Sequence, residues 1–312
     1  MALFMKRIDE FRIYYNHTIH PELMRLERSR KRLLRLLFLS GILMLSSLAL
    51  GLYLRIAPLT LAMMIPFVLY SGFLVSRIQR FLRTFKPHIV SLILDFIDTE
   101  VNYGTLSYDS KKFIPKSRFF ESKLFATKAQ FYLGEDYIKG KVGEMDFEMS
   151  ELDVRENSAM SAKLEPVFQG VFLCALFNEP TEGSLAVWPR KERRFLTRSI
   201  KNYTWDGGQN VDEEIMVERF RETFLVYATE DTHVIGILPE PMQEAILDFC
   251  AASKKDIYFS VHGREIYVGV SEPKDQLEPF IFRSNMSFEL VKEFFENITL
   301  LLKIVEVFDQ TH

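Results

Sequence analysis

Two long apolar runs dominate the N-terminal third of the chain. Leu36–Leu54 and Ile56–Ser76 contain no charged residue, and Arg55 alone separates them. As helices rising about 1.5 Å per residue, both runs are long enough to cross a hydrocarbon core about 30 Å thick. Pro58 suits the first turn of a second helix. The pattern therefore predicts a transmembrane hairpin over residues 36–76.

Segments with helical spacing of apolar residues flank this hairpin. Residues 1–35 predict two amphipathic helices, because Pro21 interrupts their pattern. Residues 77–100 predict a juxtamembrane helix, since apolar positions from Ile78 to Phe96 recur every three or four residues and continue through Pro87. The two flanking stripes are expected to pair and form a stalk.

From Tyr103 onwards the helical spacing gives way to short runs bounded by glycine and charged turns, which is typical of strands. Apolar residues at 145, 147 and 149 alternate with polar ones, which predicts a half-buried strand. A continuous apolar run, Pro166–Asn178, predicts a central strand that pairs with Ser184–Trp188. The other predicted strands are Lys128–Leu133, Tyr137–Val142, Glu144–Leu152, Asp256–Val261 and Glu265–Val270.

Helical patterns return towards the C-terminus. A brief helix is expected around residues 220–227, a longer one over Pro239–Ala252, and a last one over Phe288–Phe308. With strands in blocks and helices at the ends, the class is α+β: an N-terminal two-helix transmembrane hairpin with amphipathic flanking helices, then a mostly antiparallel β domain with C-terminal helices. The predicted domains are 1–35, 36–76, 77–100 and a cytoplasmic domain over 101–312.

Charge divides the chain into two parts of opposite sign. Residues 1–86 carry fourteen Lys and Arg against four Asp and Glu, a balance of +10, whereas residues 87–312 carry −13. An acidic domain repels phosphate backbones, which argues against nucleic acid as a partner. Basic residues lie on both sides of the hairpin, so both termini are expected in the cytoplasm and the protein in the inner membrane as a multi-pass protein. A cleaved signal peptide is the alternative, but its apolar core would be shorter and nearer the N-terminus.

The residues that would support catalysis or metal binding do not form a recognisable motif. His17 and His20 are the only histidines close in sequence, and Pro21 follows directly after them. Cys174 and Cys250 lie among apolar residues, which predicts buried reduced thiols. Glycine-rich phosphate loops, nucleophile elbows and paired-cysteine motifs do not occur. We therefore predict no catalytic residue, no cofactor and no metal ligand.

Two charged clusters are candidates for interaction surfaces. The acidic one could bind a divalent cation or a basic partner, although acids that alternate along a strand usually form a solvated face: Glu144, Asp146, Glu148 and Glu151. The basic one could dock on the bilayer or on an acidic partner, with a solvated connector as the alternative: Arg190, Lys191, Arg193, Arg194, Arg198 and Lys201.

Four stretches resemble a family of bacterial membrane proteins known as domain of unknown function 3137. They are Tyr132–Gly143, Phe147–Leu152, Val167–Phe172 with Phe177-Asn178, and the C-terminal run from Ile257 to Val305. Leu238-Pro239-Glu240-Pro241 departs from the Leu-Thr-Pro-like residues expected there. The resemblance implies a bacterial inner-membrane protein, and it implies no activity and no site residues.

These observations favour a non-enzymatic scaffold, integral to the lipid bilayer, that binds another protein in an inner-membrane complex. The alternative is a membrane-bound enzyme or lipid-handling protein, whose site would bring together several of Glu148, Glu151, His233 and His262. A homo-oligomer is compatible with either hypothesis.

Overall fold

The computed structural model describes residues 2–55, 57–99, 103–158, 163–177, 180–191, 194–272 and 277–311. The chain divides into two compact units. The first comprises Met1–Phe96 with Gln276–Phe294, and the second comprises Ile97–Asp275 with Phe295–His312.

The first unit is built from long helices. Helix α1 spans Ala2–Tyr14, a π-helical turn follows over Tyr15–Ile19, and α2 spans His20–Leu54. Helix α3 spans Ala57–Ile97, and its residues up to Phe96 belong to this unit. A proline occupies the first turn of α2, where its missing N–H leaves no hydrogen bond unmade. Pro21 does not separate two helical pieces as the sequence predicted, because the backbone stays helical from α1 through the π-helical turn into α2, which continues into the apolar run.

A tight turn joins the two long helices. Arg55 ends α2 in the left-handed conformation with φ of 54°. Beyond the apolar runs, the Phe96 ring lies 5.3 Å from the Phe11 ring and 4.9 Å from the Tyr14 ring, measured between centroids. The predicted pairing of the two flanking stripes is thus present in this unit. Pro87 lies inside α3, so the helix continues through it as the spacing predicted.

The second unit contains one antiparallel sheet in which the described residues form nine strands, in the order β1-β2-β3-β4-β9-β8-β5-β7-β6. The strands are β1 Tyr103–Asp109, β2 Phe131–Val142, β3 Met145–Asn157, β4 Leu164–Leu176, β5 Ser184–Pro189, β6 Gly208–Asn210, β7 Phe224–Thr229, β8 Ile257–His262 and β9 Glu265–Ser271. Long helices, this sheet and the C-terminal helix confirm the α+β class. Strand β4 lies between β3 and β9, as expected for the central apolar run.

Two strand predictions and one helix prediction need correction. Lys128–Leu133 and Tyr137–Val142 were expected as separate strands, yet β2 passes through the intervening glycine and acids as a bulge, with Asp136 at φ of 58°. A bulge absorbs the extra residue without ending the ladder, so the turn-like composition did not produce a turn. Ser184–Trp188 pairs with β7 and β8 and not with the central strand.

The third correction concerns residues 220–227. The helix expected there ends at Thr223, and Phe224–Thr229 is strand β7. The expected half-buried strand over residues 145–152 has its apolar face buried as predicted. Its polar face is also covered in part, because the Ser150 hydroxyl accepts the Ile114 N–H at 3.0 Å.

The second unit also contains helices. They are α4 Lys116–Glu121, α5 Arg194–Trp205, α6 Glu218–Thr223, α7 Val234–Ile237, α8 Glu240–Ser253 and α9 Phe288–Thr311, of which residues 295–311 belong to this unit. One aromatic core joins Phe119, Phe172 and Trp188 beneath α4 and α5. At the C-terminal end of α9, the Phe308 ring lies 5.2 Å from the Phe177 ring.

Candidate functional site

The first candidate is the outward surface of the apolar hairpin. Large side chains point away from the protein there, and Phe38, Leu52 and Leu69 are 74 %, 71 % and 70 % exposed. Both helices are long and apolar enough to cross a membrane by length and composition, and only 11 % of each apolar window is buried. The core helix of a water-soluble protein would instead be mostly buried, so the pattern favours contact with lipid.

Small residues line the contact between the two hairpin helices. The Ser40 and Ser71 hydroxyl oxygens lie 3.0 Å apart, and Ser40 also donates to the Leu37 carbonyl. At Gly51 the helices approach so closely that an added Cβ would lie 1.9 Å from Thr60 Oγ1. Close approach through small residues is the usual way in which helices pack in lipid, where apolar side chains gain nothing by facing each other.

The second candidate is a cleft of about 530 Å³ in the second unit, between β1, β2, β3 and the edge of α4. Its charged centre is Arg118, whose Nε lies 3.6 Å from Glu148 Oε1 and whose Nη1 pairs with Glu265. Tyr137 donates its hydroxyl hydrogen bond to Glu148 at 2.7 Å, and Tyr267 donates to Glu265. The cleft thus contains one guanidinium shared by two carboxylates, each of which is also held by a tyrosine.

The nucleophilic groups of this cleft are held in their neutral forms. Burial raises the pKa of the Cys174 thiol, and the neighbouring Glu148 carboxylate raises it further. Burial, followed by the hydrogen bond to Glu148, raises the pKa of Tyr137. A neutral buried thiol is a poor nucleophile, so the arrangement suits the binding of a polar group better than covalent catalysis.

The structure does not bring together the four residues that an enzyme site was expected to use. Glu148 lines the cleft, whereas Glu151 lies in a separate acidic group on the neighbouring part of the sheet. His233 directly precedes α7 and His262 ends strand β8, and both are exposed. Sequence reasoning missed Arg118, Tyr137 and Glu265, because they come from three segments far apart in the chain and no local spacing links them.

The predicted acidic cluster is divided between two places. Asp146 and Glu148 line the cleft, while Glu151 lies directly opposite Glu135 across the β2–β3 ladder. Carboxylate oxygens of Glu135, Asp136 and Glu151 lie within 4.8 Å of one another, and Tyr108 donates a hydrogen bond to Asp136. The bulge in β2 produces this group, since it turns Asp136 towards the same side as its neighbour.

The predicted basic cluster is partly neutralised within the second unit. Arg190 pairs with Asp212, Lys191 pairs with Asp256, and Arg198 forms a two-pronged pair with Glu156 at 2.9 and 3.0 Å. Lys201 is exposed on α5. Arg193 lies outside the described residues, as does the side chain of Arg194. Whether these residues form an interaction surface stays a prediction.

The fold and these features define a class of α+β protein that joins an apolar helical hairpin to a large antiparallel sheet. Residues 166–310 match the family described as protein of unknown function (DUF3137), and this match confirms the resemblance seen in the sequence. No curated protein matches the chain. One solved structure, the crystal structure of the mycobacterial trehalose monomycolate transport factor A, TtfA, matches 62 % of this chain and 88 % of its own. The identity is 8 % and the TM-score 0.29, values too low to support any inference about this chain.

Proposed function

We propose that this chain is a non-enzymatic scaffold of the bacterial inner membrane that crosses the bilayer twice and binds another protein. The observation that carries the proposal is the exposed apolar surface of α2 and α3. An apolar surface of this length is unfavourable in water and favourable in the hydrocarbon core of a bilayer. The sheet domain then serves as the part of the chain that meets a partner.

Charge supports an orientation with both termini in the cytoplasm. Six basic residues lie between residues 25 and 35 before the first apolar run, four lie between residues 77 and 86 after the second, and the connecting turn has Arg55 alone. Basic flanks are retained on the cytoplasmic side during insertion. Inserting a charged residue at the centre of a transmembrane helix costs about 2.5–3.5 kcal/mol of free energy. An arginine at a helix end costs much less, because its side chain reaches the headgroups.

Reporter fusions test this topology. Alkaline phosphatase fused after His312 is expected to be inactive, and the same enzyme inserted at Arg55 is expected to be active, because it works only outside the cytoplasm. A fluorescent protein that folds only inside the cytoplasm gives the matched control, with the opposite pattern. Strong phosphatase activity at the C-terminus would refute the proposed orientation.

The proposed partner surface lies on helix α5. Trp205 at its end is 90 % exposed, and Lys201 is exposed one turn earlier. Exposed tryptophans are the side chains most enriched at the energetic centres of protein interfaces. Lys201 belongs to the predicted basic cluster, and Trp205 extends this surface by one helical turn.

A pull-down of the full chain in mild detergent tests partner binding. A stoichiometric protein partner is expected to co-purify, to be lost with Trp205→Ala and Lys201→Ala combined, and to be kept with Glu222→Ala, a change to an exposed residue of the separate helix α6. Recovery that is equal for both variants would remove this surface from the proposal. Purification of a homogeneous chain without any partner would contradict the scaffold itself.

The cleft around Arg118 is the observation that favours the alternative, a membrane-bound enzyme or lipid-handling protein. Native mass spectrometry of the purified chain distinguishes the two hypotheses. A bound small molecule that is lost with Arg118→Ala, but kept with the exposed control Lys112→Ala, would favour the alternative.

A further inference from the structure

Within the first unit, the segment from residue 277 to residue 288 forms a loop that rises along the helices and returns. Glu278 pairs with Lys86 Nζ at 2.8 Å, ten residues beyond the end of the apolar run in α3. The Ile281 carbonyl then accepts a hydrogen bond from Arg30, six residues before the apolar run in α2. At about 1.5 Å per helical residue, the chain has moved from roughly 15 Å to roughly 9 Å from the apolar surface.

After this point the segment descends again. The Phe288 ring packs edge-on against Tyr15 at 4.8 Å, and the Arg12 guanidinium lies 5.4 Å from the same ring. Tyr15 precedes the apolar run by twenty-one residues, which places it roughly 30 Å from the apolar surface along the helix. The top of the loop, nearest to the apolar surface, is therefore the stretch of residues 281–284.

The loop is a closed and anchored structure. The Asn285 side chain accepts the Phe280 N–H at 2.7 Å and donates to the Phe280 carbonyl at 2.9 Å, which joins the two ends of the tip. The Asn285 backbone also hydrogen-bonds Glu27, the carboxylate that holds Arg30. Both Glu27 and Arg30 are buried, so the tip cannot swing away without breaking its hydrogen bonds to a buried ion pair.

The tip presents aromatic rings and a cation. Phe282 is 84 % exposed and Phe280 is 46 % exposed, and Arg283 next to them is exposed as well. On a surface that faces only water, a phenylalanine as exposed as Phe282 on an anchored loop is unfavourable. Aromatic and apolar rings beside basic residues are the composition of segments that insert at the boundary between headgroups and acyl chains.

We infer that the loop Phe280–Asn285 is an interfacial anchor, with Phe282 inserted into the headgroup layer of the bilayer that the hairpin spans and Arg283 at its phosphates. The inference rests on the proposed membrane hairpin, because the position of the loop is measured from the apolar surface of that hairpin. The headgroup layers add about 5–8 Å on each side of the hydrocarbon core, so a side chain near the top of this loop reaches them.

Site-directed spin labels on the full chain in vesicles of phosphatidylethanolamine and phosphatidylglycerol test the inference. Single cysteines are introduced as Ser284→Cys in the tip, Leu45→Cys in the apolar run and Ile13→Cys on α1, where the side chain is 61 % exposed and far from the hairpin. Collision of each label with a water-soluble nickel complex is compared, with the chain lacking an added cysteine as the background. The label at position 284 is expected to collide with nickel several-fold less often than the label at position 13.

The three labels distinguish a failure of the loop anchor from a failure of the membrane hairpin. If the label at position 45 is shielded but the label at position 284 is as open to nickel as that at position 13, the loop is not an anchor. If position 45 is also open, the membrane hairpin itself is wrong. Adding Phe282→Ser to the Ser284→Cys chain is expected to restore nickel collisions to the level at position 13, whereas an unchanged rate would overturn the assignment to Phe282.

Discussion

The Arg30 guanidinium donates two hydrogen bonds to the Glu27 carboxylate one turn earlier in α2, from Nε at 2.8 Å and from Nη2 at 2.6 Å. Both side chains are buried, with relative exposures of 6 % and 4 %. The same guanidinium donates to the Ile281 carbonyl. One ion pair thus orders a helix surface and holds a loop that lies some 250 residues away in the sequence.

The first prediction concerns this pair. Glu27→Gln leaves the Arg30 charge buried without its counter-ion, so we expect it to lower the free energy of unfolding by about 3–5 kcal/mol. Thermal unfolding of the purified chain in detergent, together with the rate of trypsin cleavage after Arg283, measures the loss. Glu22→Gln is the control, because Glu22 pairs with the exposed Arg25 and its loss should cost less than about 1 kcal/mol.

The second prediction is the pH dependence of the same interaction. The hydrogen bonds from Arg30 hold the pKa of Glu27 below its ordinary value of 4.5. A carboxylate with a lowered folded-state pKa contributes its stability fully above the unfolded pKa and loses it as pH falls through the folded one. The difference in melting temperature between the natural chain and Glu27→Gln should therefore be constant near neutral pH and shrink below about pH 4.5. A difference that grows on acidification would contradict this account.

The third prediction tests the contact between the hairpin helices. Because Ser40 Oγ and Ser71 Oγ lie 3.0 Å apart, the double variant Ser40→Cys and Ser71→Cys should form a disulfide under mild oxidation. A protease site inserted at Arg55 reveals the bond, since cleaved halves stay together on a gel without reductant. Ser46 is exposed on α2, so Ser46→Cys with Ser71→Cys should give separate halves.

The fourth prediction uses the two tryptophans. Trp188 is fully buried and its Nε1 donates to the Leu124 carbonyl at 2.9 Å, whereas Trp205 is 90 % exposed. Trp205→Phe should leave short-wavelength emission that shifts to the red on unfolding, and Trp188→Phe should leave long-wavelength emission that hardly moves. Trp188→Phe should also cost about 1–3 kcal/mol, because the Leu124 carbonyl loses its partner. Identical emission from the two variants would refute the burial difference.

The fifth prediction concerns the ladder between β4 and β9. Gly170 has φ of 147°, and an added Cβ would lie 2.0 Å from the Val270 carbonyl oxygen and 2.5 Å from the Glu272 amide nitrogen. Backbone atoms cannot move aside, so Gly170→Ala should cost more than about 3 kcal/mol in denaturant unfolding. Gly104→Ala is the control, since an added Cβ there meets no atom within 4 Å and should change the midpoint little.

Local patterns predicted the elements whose burial follows a single period. Strands β8 and β9, Ile257–His262 and Glu265–Ser271, form a β-hairpin whose turn contains Gly263 with φ of 63°. The alternation of apolar and polar residues in these segments predicted this pair. The C-terminal helix extends from Phe288 to Thr311, three residues beyond its predicted end. The prediction of two separate strands was wrong at β2. Gly134 and the acids after it have the composition of a turn, but pairing with β3 keeps the segment in one strand that contains a bulge.

The sequence by itself determined the apolar hairpin, the basic flanks and the α+β class, because run length, charge and periodicity are properties of neighbouring residues. Only the tertiary structure decided which strands pair with β5, which carboxylates surround Arg118, and that a late loop returns to Arg30. These contacts depend on hydrogen bonds and ion pairs between distant segments, where many partners of equal chemistry compete. The folded geometry decides which of these partners meet, and the spacing of residues along the chain does not predict the pairing.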